Sequence, residues 1–99
     1  MARKEAPTLD QVFKALSDPV RMAVVADLIE SDNQEKACGT FQHTLTKATF
    51  SHHLQILNEA GLIQTRQEGT RKMISLRTKE LNQLYPGFLQ FLKTQMKRR

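Results

Sequence analysis

The spacing of hydrophobic and polar positions predicts three helical stretches before the chain turns strand-like. Leu9, Val12, Phe13 and Leu16 stand at the i, i+3, i+4, i+7 intervals of one helix face. Thr8 and Gln11 have the form of a capping box at its start. Asp18-Pro19 opens a second helix, with a side chain able to accept backbone amides and a proline where no N–H is needed. Val20, Val24 and Leu28 carry it to about Glu30. Residues 31–36 are polar and read as a loop or frayed turn. Gly39 interrupts 37–45, which reads as a short helix or an irregular turn. Thr46 then caps a strongly amphipathic helix ending at Ala60, with Gly61 as a left-handed terminator.

Beyond Gly61 the period becomes two. Residues 62–67 and 71–77 flank Glu68-Gly69-Thr70 and predict a β-hairpin whose tip needs Gly69 for positive φ. Thr78 is the expected cap of a final helix bearing Leu81, Leu84, Tyr85, Phe88, Leu89, Phe91, Leu92 and Met96. Pro86-Gly87 should kink it or split it. Helix, helix, short helix, helix, hairpin, helix is the order of a winged helix-turn-helix. The fold class is thus mainly α with a β-hairpin wing (α+β), with about five helices and a two-stranded wing. Residues 1–7 read as a mobile N-terminal arm and 8–99 as a single domain. A chain of 99 residues supports one modest core. Such a domain buries only roughly 60–65% of its unfolded surface, so extra burial in a dimer would help.

The 46–60 helix separates two faces. Phe50, Leu54 and Leu57 lie within about 60° of one another at the helical period and form the core face. Ala48, Ser51, His52 and Gln55 lie opposite, Glu59 lies further along, and Lys47 and Thr49 flank the entrance. Small residues let a backbone approach base edges, Ser and Gln donate and accept, and Ala and Thr methyls suit a thymine methyl. Free amides at the helix start beside Lys47 suit a phosphate. The hairpin adds Arg66, Thr70, Arg71, Lys72 and Arg77 against Glu68 alone, as expected of a wing on the DNA backbone or in the minor groove. Fifteen Lys and Arg against ten Asp and Glu, a net charge of +5, agree with a polyanionic partner.

Other classes are disfavoured. No apolar run reaches the roughly 20 residues of a membrane span, and the N-terminus lacks a secretory signal, so the expected location is the cytoplasm. There is no Gly-rich phosphate loop, paired carboxylate or nucleophile–base spacing, so an enzyme is not expected and no cofactor is implied. The single cysteine, Cys38, precludes an internal disulfide framework.

Two motifs resemble a known family. Phe13-Lys14-Ala15-Leu16-Ser17-Asp18-Pro19-Val20-Arg21 is similar to the F-K-A-L-x-D-P-x-R opening of the ArsR/SmtB winged-helix regulators. Residues 51–63, SHHLQILNEAGLI, resemble their S-H-H-L-x-x-L-x-x-A-G-L-[IV] signature, and the Glu68-Gly69-Thr70-Arg71 tip fits too. The resemblance spans about Leu9 to Leu76. It implies a homodimer built from the first and last helices, here Leu9, Val12, Phe13, Leu84, Tyr85, Phe88, Leu89 and Leu92. It implies a double-stranded DNA operator of palindromic sequence, bound by a repressor. Thr46, Lys47, Ala48, Thr49, Ser51, His52 and Gln55 then become the groove and phosphate contacts.

The familiar metal sites of that family do not carry over. Its Cys-x-Cys positions fall on Glu35 and Ala37, and the last helix has Glu80 as its only acidic residue and no His. His52 and His53 point about 100° apart on a helix and chelate poorly, so no metal is expected. His52 reads as groove-facing and His53 as edge-of-core. Cys38 is either a thiol switch, with His43 and Lys36 near in sequence, or a small buried hydrophobe. The alternative to an operator-binding regulator is a winged-helix module that binds protein, which would want an apolar exposed face on the 46–60 helix. No effector is legible.

Overall fold

The computed structural model describes residues 8–97; the expected arm and the last two residues of the basic tail lie outside that range. Helix α1 runs Leu9–Leu16 and buries Val12, Ala15 and Leu16. The Thr8 hydroxyl donates to Gln11 Oε1 at 3.0 Å, so these two side chains bond each other and leave the helix without a side-chain cap. This corrects the expected capping box. Helix α2, Pro19–Glu30, begins as the sequence predicts: Asp18 Oδ1 accepts the amides of Val20 at 2.8 Å and Arg21 at 3.4 Å.

The polar stretch after α2 holds structure that hydrophobic periodicity missed. Asn33 and Gln34 adopt left-handed φ of 58° and 52° in a turn spanning Asp32–Gln34. Glu35–Ala37 then forms a strand, β1. A single 3₁₀ turn, Cys38–Thr40, follows, its Thr40 hydroxyl donating to the Ala37 carbonyl at 2.7 Å. Buried Phe41 anchors the irregular segment up to Thr46.

Helix α3, Lys47–Glu59, buries Phe50, Leu54 and Leu57, the predicted core face. It ends in a Schellman motif: Gly61, at φ +83°, donates to the Asn58 carbonyl at 3.0 Å and Leu62 to that of Leu57 at 3.1 Å. The wing strands are β2, Ile63–Glu68, and β3, Arg71–Leu76, with Glu68 opposite Arg71 and Gly69 at φ +64° in the turn. The hairpin belongs to a three-stranded antiparallel sheet of order β1-β3-β2, in which Glu35 pairs with Ser75 and Ala37 with Met73.

Arg77, not Thr78, occupies the cap position of helix α4, Thr78–Leu84, and makes no side-chain cap. Thr78 is already inside the first turn, its hydroxyl buried without a hydrogen bond among the described residues. Pro86-Gly87, with Gly87 at φ +88°, splits the final helical region, and helix α5 runs Phe88–Lys97. Leu28, Leu57, Leu62, Ile63, Ile74 and Leu81 are fully buried where the helices meet the sheet. Among the described residues no helix is long and apolar enough to cross a membrane.

The outer faces of α1, α4 and α5 carry apolar side chains that this core leaves uncovered. Leu9 is 44% exposed, Phe13 56%, Leu84 40% and Phe91 59%. Phe13 and Tyr85 each meet Phe88 edge-on, at centroid distances of 6.2 and 6.3 Å. Val12 and Leu92, also expected in a dimer contact, are instead taken up by the protomer's own core, and Leu89 packs partly against it.

Candidate nucleic-acid interface

The sequence fixes the start of α3 by local chemistry. Thr46 is extended, so its hydroxyl oxygen can accept the Thr49 amide at 3.1 Å while donating to the Thr49 hydroxyl at 2.9 Å. The first turn holds no acid. Because Phe50, Leu54 and Leu57 take the core side, the helical period sends Lys47, Ala48, Thr49, Ser51, His52 and Gln55 to solvent. The result is an exposed strip of small, hydroxyl, imidazole and amide groups with a lysine at the positive end of the helix dipole. Gln55 is not free on this strip: its Nε2 donates to Glu59 Oε2 at 3.2 Å.

His53 leaves the strip, as predicted. It is half-buried, and its Nδ1 lies 3.1 Å from an Arg21 guanidinium nitrogen. The His52 and His53 ring centroids are 6.5 Å apart. No group of three or more His, Cys, Asp or Glu able to hold a metal gathers among the described residues.

The wing divides its cations. Arg66 makes a two-pronged contact with Glu35, Nε to Oε2 at 3.1 Å and Nη2 to Oε1 at 3.2 Å, and a longer pair with Glu68 at 3.7 Å. The Glu35 hydrogen bond, then its charge and that of Glu68, hold the guanidinium above the ordinary arginine range. Arg77 pairs with Glu80 at 2.8 Å. Arg71, Lys72 and Thr70 at the tip are exposed, and their side chains have no polar partner among the described residues. Sequence reasoning counted only Glu68 against these cations. It missed Glu35 because the carboxylate arrives on β1, a strand too short to show a period.

Cys38 is half-buried against the core. Its sequence neighbours are engaged elsewhere. Lys36 lies over the Phe41 ring at 4.6 Å and pairs with Asp27 at 3.7 Å. The His43 ring stacks on Phe50 at 4.0 Å, and its Nδ1 accepts the Leu45 amide at 3.1 Å.

Comparison with known proteins bears on the fold and the family. A family described as a helix-turn-helix domain matches residues 16–66. The chain is 40% identical over 84 residues to the uncharacterized HTH-type transcriptional regulator YceK of Bacillus subtilis, covering 83% of each chain. It is 31% identical over 84 residues to the transcriptional repressor SdpR of the same organism, covering 85% of this chain and 92% of that one. The ArsR-like transcriptional regulator from Rhodococcus sp. RHA1 shares the fold with a TM-score of 0.65 at 22% identity, over 92% of this chain and 84% of that one.

Proposed function

Because the chain belongs to the ArsR family of winged helix-turn-helix transcriptional regulators, we propose that it is a homodimeric repressor reading a palindromic operator with α3. The observation that carries this reading is the exposed strip from Lys47 to Gln55, acid-free and short-chained. Thr46, Lys47 and Thr49 would take phosphates at the helix entrance. Ala48, Ser51, His52 and Gln55 would meet base edges, Gln55 on exchanging its Glu59 contact for a base. Thr70, Arg71 and Lys72 would follow the backbone or enter the minor groove. Arg66 serves the wing from within, through Glu35.

The uncovered apolar side chains of α1, α4 and α5 support the dimer. Leu9, Phe13 and Leu84, with Phe91 added to the residues expected from sequence, are exposed on a domain too small to leave such surface idle. Two-fold symmetry would then set the α3 helices into successive major grooves, about 34–36 Å apart. Gel-shift titration against the DNA upstream of the protein's own gene tests the reading. Specific binding that falls steeply with added salt is expected. Affinity equal to that for scrambled DNA would refute it.

A further inference from the structure

The contact that ties α3 to the corner between α1 and α2 has a chemical condition built into it. Arg21, in the first turn of α2, donates from Nε to the Ala15 carbonyl of α1 at 2.7 Å. Its Nη1 lies 3.1 Å from His53 Nδ1 on α3, so one guanidinium spans three helices. A guanidinium has donors and no acceptor. His53 must therefore accept with a bare Nδ1, and its proton sits on Nε2. The ring is neutral in this arrangement. A second proton, taken from solvent at Nδ1, would turn the acceptor into a donor facing a donor and set two cations side by side.

The surroundings offer a charged ring somewhere else to go. From α2, Asp18 lies close enough to Arg21, and to His53 once that ring is protonated, for either charge to favour its ionised form. Its Oδ1 is occupied by the Val20 and Arg21 amides. From α3, His52 is the ring neighbour at 6.5 Å. From α1 comes the Ala15 carbonyl, held through Arg21.

We propose that Arg21 and His53 are positioning residues for DNA reading, a strut that sets α3 against the α1–α2 corner only while His53 is neutral, so that operator affinity falls as His53 takes up a proton. This rests on the operator-binding reading. His52 complicates the measurement, because it is exposed on the DNA-facing strip. Its protonation adds a phosphate-attracting charge and moves affinity the opposite way. The pH series therefore compares wild type with His53→Asn, so that whatever His52 contributes is common to both proteins.

The probe is a labelled duplex from the DNA upstream of the protein's own gene, titrated by fluorescence anisotropy at constant ionic strength. As the pH is lowered, wild type should lose about tenfold in affinity relative to His53→Asn, the scale of one hydrogen bond to a charged group. In His53→Asn the amide oxygen stands in for Nδ1 and does not titrate, so that variant should lack this loss. Equal slopes in both proteins overturn the proposal, and so does wild-type affinity that rises relative to His53→Asn on acidification. A separate measurement needs no DNA: ¹⁵N NMR of the imidazoles in the full chain should show the neutral His53 ring carrying its proton on Nε2 and not on Nδ1. The Nδ1–H tautomer there overturns the strut. If no duplex is bound at all, the operator reading fails, and the NMR result still decides the strut.

Discussion

Two side chains set where helices begin, and each carries a measurable consequence. Thr46 supplies the acceptor for an otherwise orphaned amide at the entrance of α3. Thr46→Ala should cost about 1 kcal/mol, lowering the melting temperature by roughly 4–8 °C for a domain of this size. A shift under a degree would mean that the cap is redundant. Asp18 does the same for α2. Partial burial pushes its carboxyl up, but the Val20 and Arg21 amides, with the charge of Arg21 and that of His53 when protonated, outweigh it and hold the group below the ordinary range. A carboxylate depressed on folding stabilises above its unfolded pKa and loses that contribution as pH falls through the folded value. The melting-temperature gap between wild type and Asp18→Ala should therefore be widest near neutral pH. It should close below the ordinary carboxylate range of about 3.9. A gap independent of pH would contradict this. Thr46 and Asp18 were legible because a cap acts within three residues. Thr78 looked the same and is not a cap. Chain geometry after the sheet puts Arg77 in that position, and sequence spacing does not register a shift of one residue.

At the scale of elements, the hairpin was legible and its support was not. Alternation and Gly69 identify β2 and β3 locally. The three-residue β1 is polar, and its pairing partner is β3, far along the chain; no period can develop over so short a strand. The omission hid Glu35 and with it the employment of Arg66. This division predicts different behaviour for cations that look alike in sequence. Arg71→Ala and Lys72→Ala should each lower the slope of log affinity against log salt by about one, as expected of phosphate contacts. Arg66→Ala should change that slope less and loosen the β1 side of the sheet, seen as faster amide exchange at Lys36 and Ala37. An Arg66 slope change equal to that of Arg71 would place its guanidinium on the DNA after all. Of the two forms expected for 37–45, a short helix or an irregular turn, the chain takes a single turn, Cys38–Thr40, followed by irregular backbone, for a local reason. Gly39 weakens a helix there, and Phe41 is drawn into the core.

For the whole molecule, the question is what covers Phe13 and Phe91, which are 56% and 59% exposed. Phe13→Glu or Phe91→Glu should leave the protomer's fold intact, since neither ring is in the buried core, while driving a dimer toward monomers in sedimentation measurements. On the proposed dimeric reading, operator affinity should fall at least tenfold, an order-of-magnitude expectation for losing one of two linked half-site contacts. Unchanged sedimentation in both variants would remove this face from the assembly. Sequence pattern marked these helices as apolar but did not divide inward from outward side chains. Val12 and Leu92 went to the core because that division depends on how α1 and α5 pack, not on spacing alone. The sheet order has a mechanical consequence of its own. β3 is flanked on both sides only from Met73 to Ser75, while the pairs nearest the tip, Gln67 with Lys72 and Glu68 with Arg71, lack a third strand. The wing is a beam clamped at its root and loaded at its end, stiff where it leaves the body and compliant over its last few residues. In the proposed complex it would follow a groove whose width varies from one sequence to the next without disturbing the body that aims it.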